Sequence, residues 1–394
     1  MDMKVIDQSG GRAVDAMRPP GTRVDVLIVA GNARSLIANR GDLIREMQAR
    51  GHAVAAAVPR ADYLPEVELL GIPVIPLDMA RASLAPWQDL RTLAALWLVM
   101  RRLRPRVVLG YTVKPVVYGS LAARLAGVPR AYSLITGLGL AFGEARTRRA
   151  RLLRSLVSLL YRVGLAGNRT VFFQNPDDQE EFLARRILTA RSCSVRVNGS
   201  GVNLTEYPPC PIPEGPMLFL YVGRLLLDKG VDQFVAAAEQ LKPAFPDARF
   251  VVVGPHDPKL PHACPAEEVA GWNERGHVEF IGGVRDVRPW LAKCHVFVFP
   301  STYREGIPRC VLEAMATGRA IVTTDAPGCR ETVLPGDNGI LVPPRDVQSL
   351  TRTMRRFLET PELAERMGRA SRRLAVERFD VRLVNRVMLE AMGL

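Results

Sequence analysis

The sequence predicts an α/β protein of two Rossmann-like domains whose parallel sheets face a central cleft. Three observations carry that prediction. The chain has 394 residues, more than one ordinary hydrophobic core fills. Short apolar runs alternate with helically spaced segments throughout, the mark of parallel α/β architecture. The pattern also starts twice, near Val24 and near Met217, each time as strand, glycine, loop and helix.

In the first series Val24–Ala30 (VDVLIVA) reads as a buried strand. Gly31-Asn32-Ala33-Arg34 follows, then a helix through Gln48 that ends at Gly51. Ala53–Val58, Val74–Pro76 and Val107–Leu109 read as the next strands. In the second series Met217–Val222 is a strand and Asp232–Leu241 a helix. Phe250–Val253, His277–Ile281, His295–Phe299 and Ala320–Thr323 supply further strands. Gly201–Pro216 carries five prolines and reads as a linker. Val381–Met392 has helical spacing after a break at Phe379-Asp380, and is expected to cross back onto the first domain. The expected division is a flexible leader at 1–20, a first Rossmann-like domain at 21–205, a second at 206–376, and a C-terminal helix at 377–394.

Apolar residues make up 48% and charged residues 24%, a globular balance. The leader lacks the apolar core of a signal peptide, which predicts a non-secreted protein. Six scattered cysteines without a C-x-x-C pair fit reduced thiols. The net charge of +13 is one-sided: residues 1–200 hold 29 Lys and Arg against 16 Asp and Glu, whereas 201–394 hold 24 of each. Such a field predicts an anionic partner.

Two stretches narrow the choice. Residues 90–104 (LRTLAALWLVMRRLR) run from apolar to basic. In 146–163 (RTRRARLLRSLVSLLYRV) leucines recur at helical spacing beside Arg146, Arg148, Arg149, Arg151 and Arg154. A helix of that kind suits an anionic membrane surface, although a core helix with a solvated arginine face has the same pattern. The apolar run 93–100 is too short to span a bilayer. The expectation is a cytoplasmic protein lying on the inner face of the plasma membrane. Nucleic acid is not expected, since no reading motif accompanies the basic half.

Two clusters carry chemistry. Gly223-Arg224 and Asp228-Lys229-Gly230 follow the strand Met217–Val222. Gly223 lets backbone approach a ligand, and Arg224 and Lys229 set two cations beside a helix N-terminus, a combination suited to a diphosphate. The plainer reading is an ion pair between Lys229 and Asp228. Residues 299–318 (FPSTYREGIPRCVLEAMATG) are more specific. Glu305 lies in a loop with Gly306 and Ile307, and Glu313 follows eight residues later on the helix that Pro308 starts. A carboxylate accepts hydrogen bonds from two neighbouring hydroxyls, as a ribose or hexose presents them. The Gly306 and Ile307 amides can donate to sugar hydroxyls. A helix N-terminus accounts for Glu305 but not for Glu313 on an apolar helix.

No D-x-D occurs, so the usual carboxylate route to a Mg²⁺-held diphosphate is absent and no metal or other cofactor is expected. His256, His262 and Cys264 lie in a Pro-rich loop without zinc spacing. G-x-S-x-G is absent, which removes the common serine-hydrolase reading.

The set Gly223-Arg224, Lys229-Gly230, EGIP at 305–308 with EAMATG at 313–318, and DAPGCRETV at 325–333 with Asn338-Gly339 resembles retaining glycosyltransferase family 4, of GT-B fold. The likeness covers nearly all of 21–394. YTVKPVVYGSLAARLAGVPR (111–130) and ITGLGLAF (135–142) are similar to bacterial transferases that extend lipid-linked surface glycans, including N-acetylgalactosaminyltransferases acting on undecaprenyl-diphosphate sugars.

The resemblance implies roles. Arg224, Lys229 and Glu305 would be catalytic, the two cations stabilising the departing diphosphate. Glu313 would take the ribose diol, while Glu305, Gly306 and Ile307 orient the donor sugar beside Gly223. Gly31, Asn32, Lys114, Thr136 and Gly137 would lie on the acceptor side. The first domain would then serve acceptor and membrane, and the second a nucleotide sugar, with UDP favoured over GDP. Many relatives carry a histidine in the loop at Ile135-Thr136-Gly137, and this chain has none. A sugar-nucleotide epimerase or a non-catalytic sugar-binding protein on the same fold are the rival readings.

Overall fold

The computed structural model describes residues 24–60, 65–79, 86–142 and 147–394. The leader at 1–20 and Arg146 lie outside them. These residues form two compact units. One takes the described residues up to Thr136, those from 147 to Val197, and Asn385–Leu394. The other takes Gly137 to Phe142 and Asn198–Val384.

The first unit holds β1 (Val26–Ala30), α1 (Ala33–Ala49), β2 (Val54–Pro59), β3 (Val74–Leu77), α2 (Pro86–Leu103), β4 (Val107–Tyr111), α3 (Ser120–Ala126), β5 (Arg130–Ile135), α4 (Arg148–Leu165), β6 (Thr170–Phe173), α5 (Pro176–Ala184) and β7 (Ser194–Arg196). Its parallel sheet runs β3-β2-β1-β4-β5-β6-β7. β1 (VLIVA) is buried at every residue, as expected of a parallel strand covered on both faces. Asn32 is extended and accepts a hydrogen bond from the Ser35 amide, so it caps α1.

The second unit holds β8 (Leu218–Val222), α6 (Val231–Leu241), β9 (Arg249–Val253), α7 (Ala266–Arg275), β10 (Glu279–Gly282), α8 (Arg288–Lys293), β11 (Val296–Phe299), α9 (Arg309–Thr317), β12 (Ala320–Thr324), β13 (Gly339–Val342), α10 (Val347–Glu359) and α11 (Glu362–Arg378). The last helix, α12 (Val381–Met392), follows. The parallel sheet runs β10-β9-β8-β11-β12-β13. Phe219, Phe234, Phe250, Phe297 and Phe299 fill its core.

Both sheets reverse strand order beside their first strand: β1 pairs with β2 and β4, β8 with β9 and β11. Ligands of such sheets bind beyond the carboxyl ends of the strands at that reversal. In the second unit the segments leaving β8 and β11 occupy that position.

Residues 201–216 are not a free linker. Val202 exchanges backbone hydrogen bonds with Phe379 and Val381, at 2.7 and 3.0 Å. The Cys210 amide donates to Thr317 O at 3.0 Å. The chain therefore changes unit after Val197 rather than at 205, because the proline-rich stretch is already bonded into the second unit. At the other end, Asp380 caps α12 through the Arg382 amide. The final carbonyls of α12 accept from Arg130 and Tyr132 at Met392, at 2.9 and 3.2 Å, which seats its last turn on the first unit.

Candidate active site

The loop after β8 and the loop after β11 are joined through one carbonyl. Asp228 O accepts from the amides of Thr302 and Tyr303, at 2.8 and 3.0 Å, and from Ser301 Oγ at 3.2 Å. The close approach demands glycine at 230. Its φ of +75° is left-handed, and a Cβ there would collide with the Pro300 carbonyl oxygen. The Asp228 carboxylate faces His262 Nδ1 at 3.2 Å, so the plainer reading, an Asp228–Lys229 ion pair, does not hold.

Lys229 turns to Glu305 instead: its Nζ donates to Glu305 Oε1. Ser301 Oγ lies 3.3 Å from the same oxygen. The ammonium also lies 4.9 Å from the centre of the Tyr303 ring and 5.7 Å from that of Phe299, within cation–π range. Arg224 differs. It is exposed, and its guanidinium has no hydrogen-bond or ion-pair partner among the described residues. The Gly223 amide donates to Val253 O at 3.0 Å, which holds this turn to the neighbouring strand end.

The backbone of Glu305 and Gly306 is closely surrounded. Gly328, at φ +85°, has the carbonyls of both residues where its Cβ would be. Gly137, at φ +104°, has the Gly306 amide nitrogen 2.5 Å from its Cβ position. The Gly139 amide donates to Arg304 O at 3.2 Å, and Arg304 Nη1 donates to Phe142 O at 3.3 Å. Ile307 is buried and packs against Gly199.

Glu313 is buried, with 7% of its surface exposed, on α9. Its Oε1 accepts from Tyr207 OH at 2.9 Å and from Arg309 Nε at 2.7 Å. Oε2 has no hydrogen-bond or ion-pair partner among the described residues. Burial pushes the Glu313 carboxyl above its ordinary range, while Arg309 and the Tyr207 hydroxyl pull it back. Tyr207 and Arg309 escape a motif search because neither belongs to a recognisable pattern; the only sequence signal for Arg309 is its place one turn before Glu313.

Of the acceptor-side candidates, Gly31, Asn32 and Lys114 follow β1 and β4, the paired strands at the reversal of the first sheet. Gly31 abuts Thr112, and a Cβ there would meet the Thr112 hydroxyl. Asn32 spends its side chain on the α1 cap. Lys114 pairs with Asp89 at 2.7 Å, with both side chains largely covered. Thr136 belongs to the first unit, whereas Gly137 belongs to the second and lies on the Glu305–Gly306 backbone. Thr112, at φ +69°, is a β-branched residue in left-handed backbone, a strained geometry that the reversal point of the first sheet retains.

The basic helix of the first unit, α4, carries its leucines outward. Leu152, Leu156, Leu159 and Val163 are 72%, 51%, 52% and 44% exposed, while Ser158, Tyr161, Gly164 and Leu165 face the core. On α2, Trp87, Leu90, Trp97 and Leu98 are exposed as well. Among the described residues no helix is long and apolar enough to cross a membrane.

A family model described as glycosyl transferases group 1 matches residues 166–374, and one described as a glycosyl transferase 4-like domain matches 39–199. The chain belongs to the group 1 glycosyltransferases. It is 30% identical over 337 residues to the N,N'-diacetylbacillosaminyl-diphospho-undecaprenol alpha-1,3-N-acetylgalactosaminyltransferase of Campylobacter jejuni, covering 82% of this chain and 86% of that one. It is 23% identical to the UDP-Gal:alpha-D-GlcNAc-diphosphoundecaprenol alpha-1,3-galactosyltransferase of Escherichia coli, over 82% and 83%. Among solved structures, sucrose-phosphate synthase from Thermosynechococcus elongatus superposes with a TM-score of 0.77 at 20% identity, over 93% and 98% of the two chains. Anabaena HepE in complex with UDP-glucose gives 0.76 at 19% identity, over 94% and 100%. This glycosyltransferase therefore has the GT-B fold expected from its sequence.

Proposed function

We propose that this glycosyltransferase moves a hexose or N-acetylhexosamine from a UDP-sugar to a lipid-linked diphosphate glycan, with retention of anomeric configuration and without a metal. The observation that carries the reading is the meeting of Lys229 and Glu305 at the strand-order reversal of the second sheet, with Arg224 free on the same loop. Two cations there offset the charge that develops on a departing diphosphate, an electrostatic effect usually large among catalytic contributions. Glu305 and the amides of Gly306 and Ile307 orient the donor sugar, and Glu313 takes the ribose hydroxyls. The acceptor class follows from the C. jejuni and E. coli relatives, whose names place their acceptors on diphospho-undecaprenol. The outward leucines of α4, with Arg148, Arg149, Arg151 and Arg154 on the same helix, suit reversible docking on an anionic cytoplasmic leaflet.

The test is a panel of nucleotide sugars screened for thermal stabilisation, then assayed for transfer to a synthetic lipid-diphosphate sugar. Product anomers are read by NMR. A product of inverted configuration, or stabilisation by GDP-sugars alone, would overturn the corresponding part of the reading.

A further inference from the structure

Glu313 is a buried carboxylate whose two oxygens are treated unequally. Oε1 is shared by Tyr207 OH and Arg309 Nε, whereas Oε2 has no partner among the described residues. Tyr207 comes from the proline-rich stretch before the second sheet, and it is fixed there. Its carbonyl accepts from Arg372 Nη1 at 3.0 Å, and the same Nη1 donates to Ala316 O on α9 at 2.8 Å. Arg309 is half-buried, and its Nη1 is buried without a hydrogen-bond partner among the described residues. The guanidinium therefore has one strong reason to stay in place, the Glu313 carboxylate. Neither side chain is surface decoration: Tyr207 is 9% exposed.

We infer that Tyr207 and Arg309 are positioning residues that pin Glu313 through Oε1 and leave its other oxygen for the nucleotide. This rests on the proposed ribose role of Glu313. A carboxylate with both oxygens free can rotate and protonate on burial; one pinned through Oε1 presents a single acceptor in a fixed orientation. Removing either donor weakens recognition of the ribose hydroxyls and lets the carboxyl protonate at higher pH. The charged and titratable groups that bear on it are Arg309 and Tyr207, which favour the anion, Glu206, which opposes it, and Cys310, which follows Arg309 on α9.

The test is calorimetry of UDP, 2′-deoxy-UDP and 3′-deoxy-UDP between pH 5 and 8, on wild type, Tyr207→Phe, Arg309→Gln, Arg309→Lys and Glu313→Gln. In Tyr207→Phe, UDP affinity at neutral pH falls about three- to tenfold, the scale of one hydrogen bond. The acid midpoint of binding also moves upward, and discrimination against the deoxy analogues shrinks. Arg309→Lys retains more of each property than Arg309→Gln. If Glu313→Gln leaves discrimination between UDP and its deoxy forms unchanged, the ribose reading itself is lost. If Glu313→Gln abolishes discrimination while Tyr207→Phe and Arg309→Lys keep the wild-type midpoint and ratio, the ribose reading stands and the positioning role is overturned.

Discussion

Lys229 and Glu305 stand 76 residues apart in the chain and meet as an ion pair, because the loops after β8 and β11 share the Asp228 carbonyl. The pair is neutral in itself, and Arg224 on the loop after β8 adds a positive charge without an ion-pair partner among the described residues. A diphosphate docking as proposed on Lys229 and Arg224 would compete with Glu305 for the Lys229 ammonium.

That coupling gives opposite effects on binding and turnover. Glu305→Gln removes a negative charge beside the diphosphate position and releases Lys229. UDP is therefore expected to bind at least as tightly as to wild type, while transfer falls by about two to three orders of magnitude, the scale for losing one preorganised polar group. Calorimetry and steady-state rates check the two halves. UDP binding more than tenfold weaker in this variant would mean that Glu305 supports the diphosphate rather than the sugar.

Glu313→Ala is expected to lose donor affinity by about 2–3 kcal/mol, the worth of hydrogen bonds to a charged group. The pair with Arg309 adds a second effect. Removing the carboxylate strands a largely buried guanidinium, which costs about 3 kcal/mol of stability. Glu313→Gln keeps a hydrogen-bond acceptor and separates the two effects. Urea denaturation alongside UDP calorimetry measures both, and unchanged UDP affinity in either variant removes Glu313 from the ribose site.

How much of this was legible beforehand follows from residue chemistry. β1 and β8 announce themselves as unbroken apolar runs, and the E-x7-E spacing locates Glu305 and Glu313 without a structure. β5 and β7 do not: RAYSLI mixes Arg130 and Ser133 into a strand, and SVR is too short and polar to register. Residues 201–216 read as a linker because prolines signal a break, yet Val202 and Cys210 spend their backbone bonds on the second unit. The pairings of Glu313 with Tyr207 and of Lys229 with Glu305 are long-range, so local patterning holds no trace of them. The identity of the charged residues was readable; their partners were not.

Metal independence gives a third prediction. Arg224 and Lys229 are the cations proposed to face the diphosphate, so transfer should persist in EDTA at near its full rate. Lys229→Ala should then lower the rate with metal present or absent. Activity lost in chelator and restored by Mg²⁺ or Mn²⁺ would show that a metal carries the phosphate charge.

The membrane prediction turns on which way the leucines of α4 face. A core helix buries them, but here Leu152, Leu156 and Leu159 are outward, and Tyr161 and Leu165 take the core side. Exposed apolar surface of this kind is costly unless something covers it. Arg148, Arg149 and Arg151 lie on the same helix, so an anionic leaflet satisfies charge and apolar face together. Each basic residue near such a surface contributes about 1 kcal/mol, enough for several to hold the protein reversibly. Salt weakens the electrostatic share and leaves the apolar share, so binding should decline with ionic strength without vanishing. Vesicle co-sedimentation checks this with neutral against anionic lipid. Two variants separate the contributions: Arg148, Arg149 and Arg151 changed to Glu, and Leu152, Leu156 and Leu159 changed to Ser. The arginine variant should lose its preference for anionic lipid, and the leucine variant should lose the salt-resistant fraction. Equal pelleting of wild type with neutral and anionic vesicles, or wild-type binding by both variants, would leave α4 a solvated face and point to a soluble acceptor.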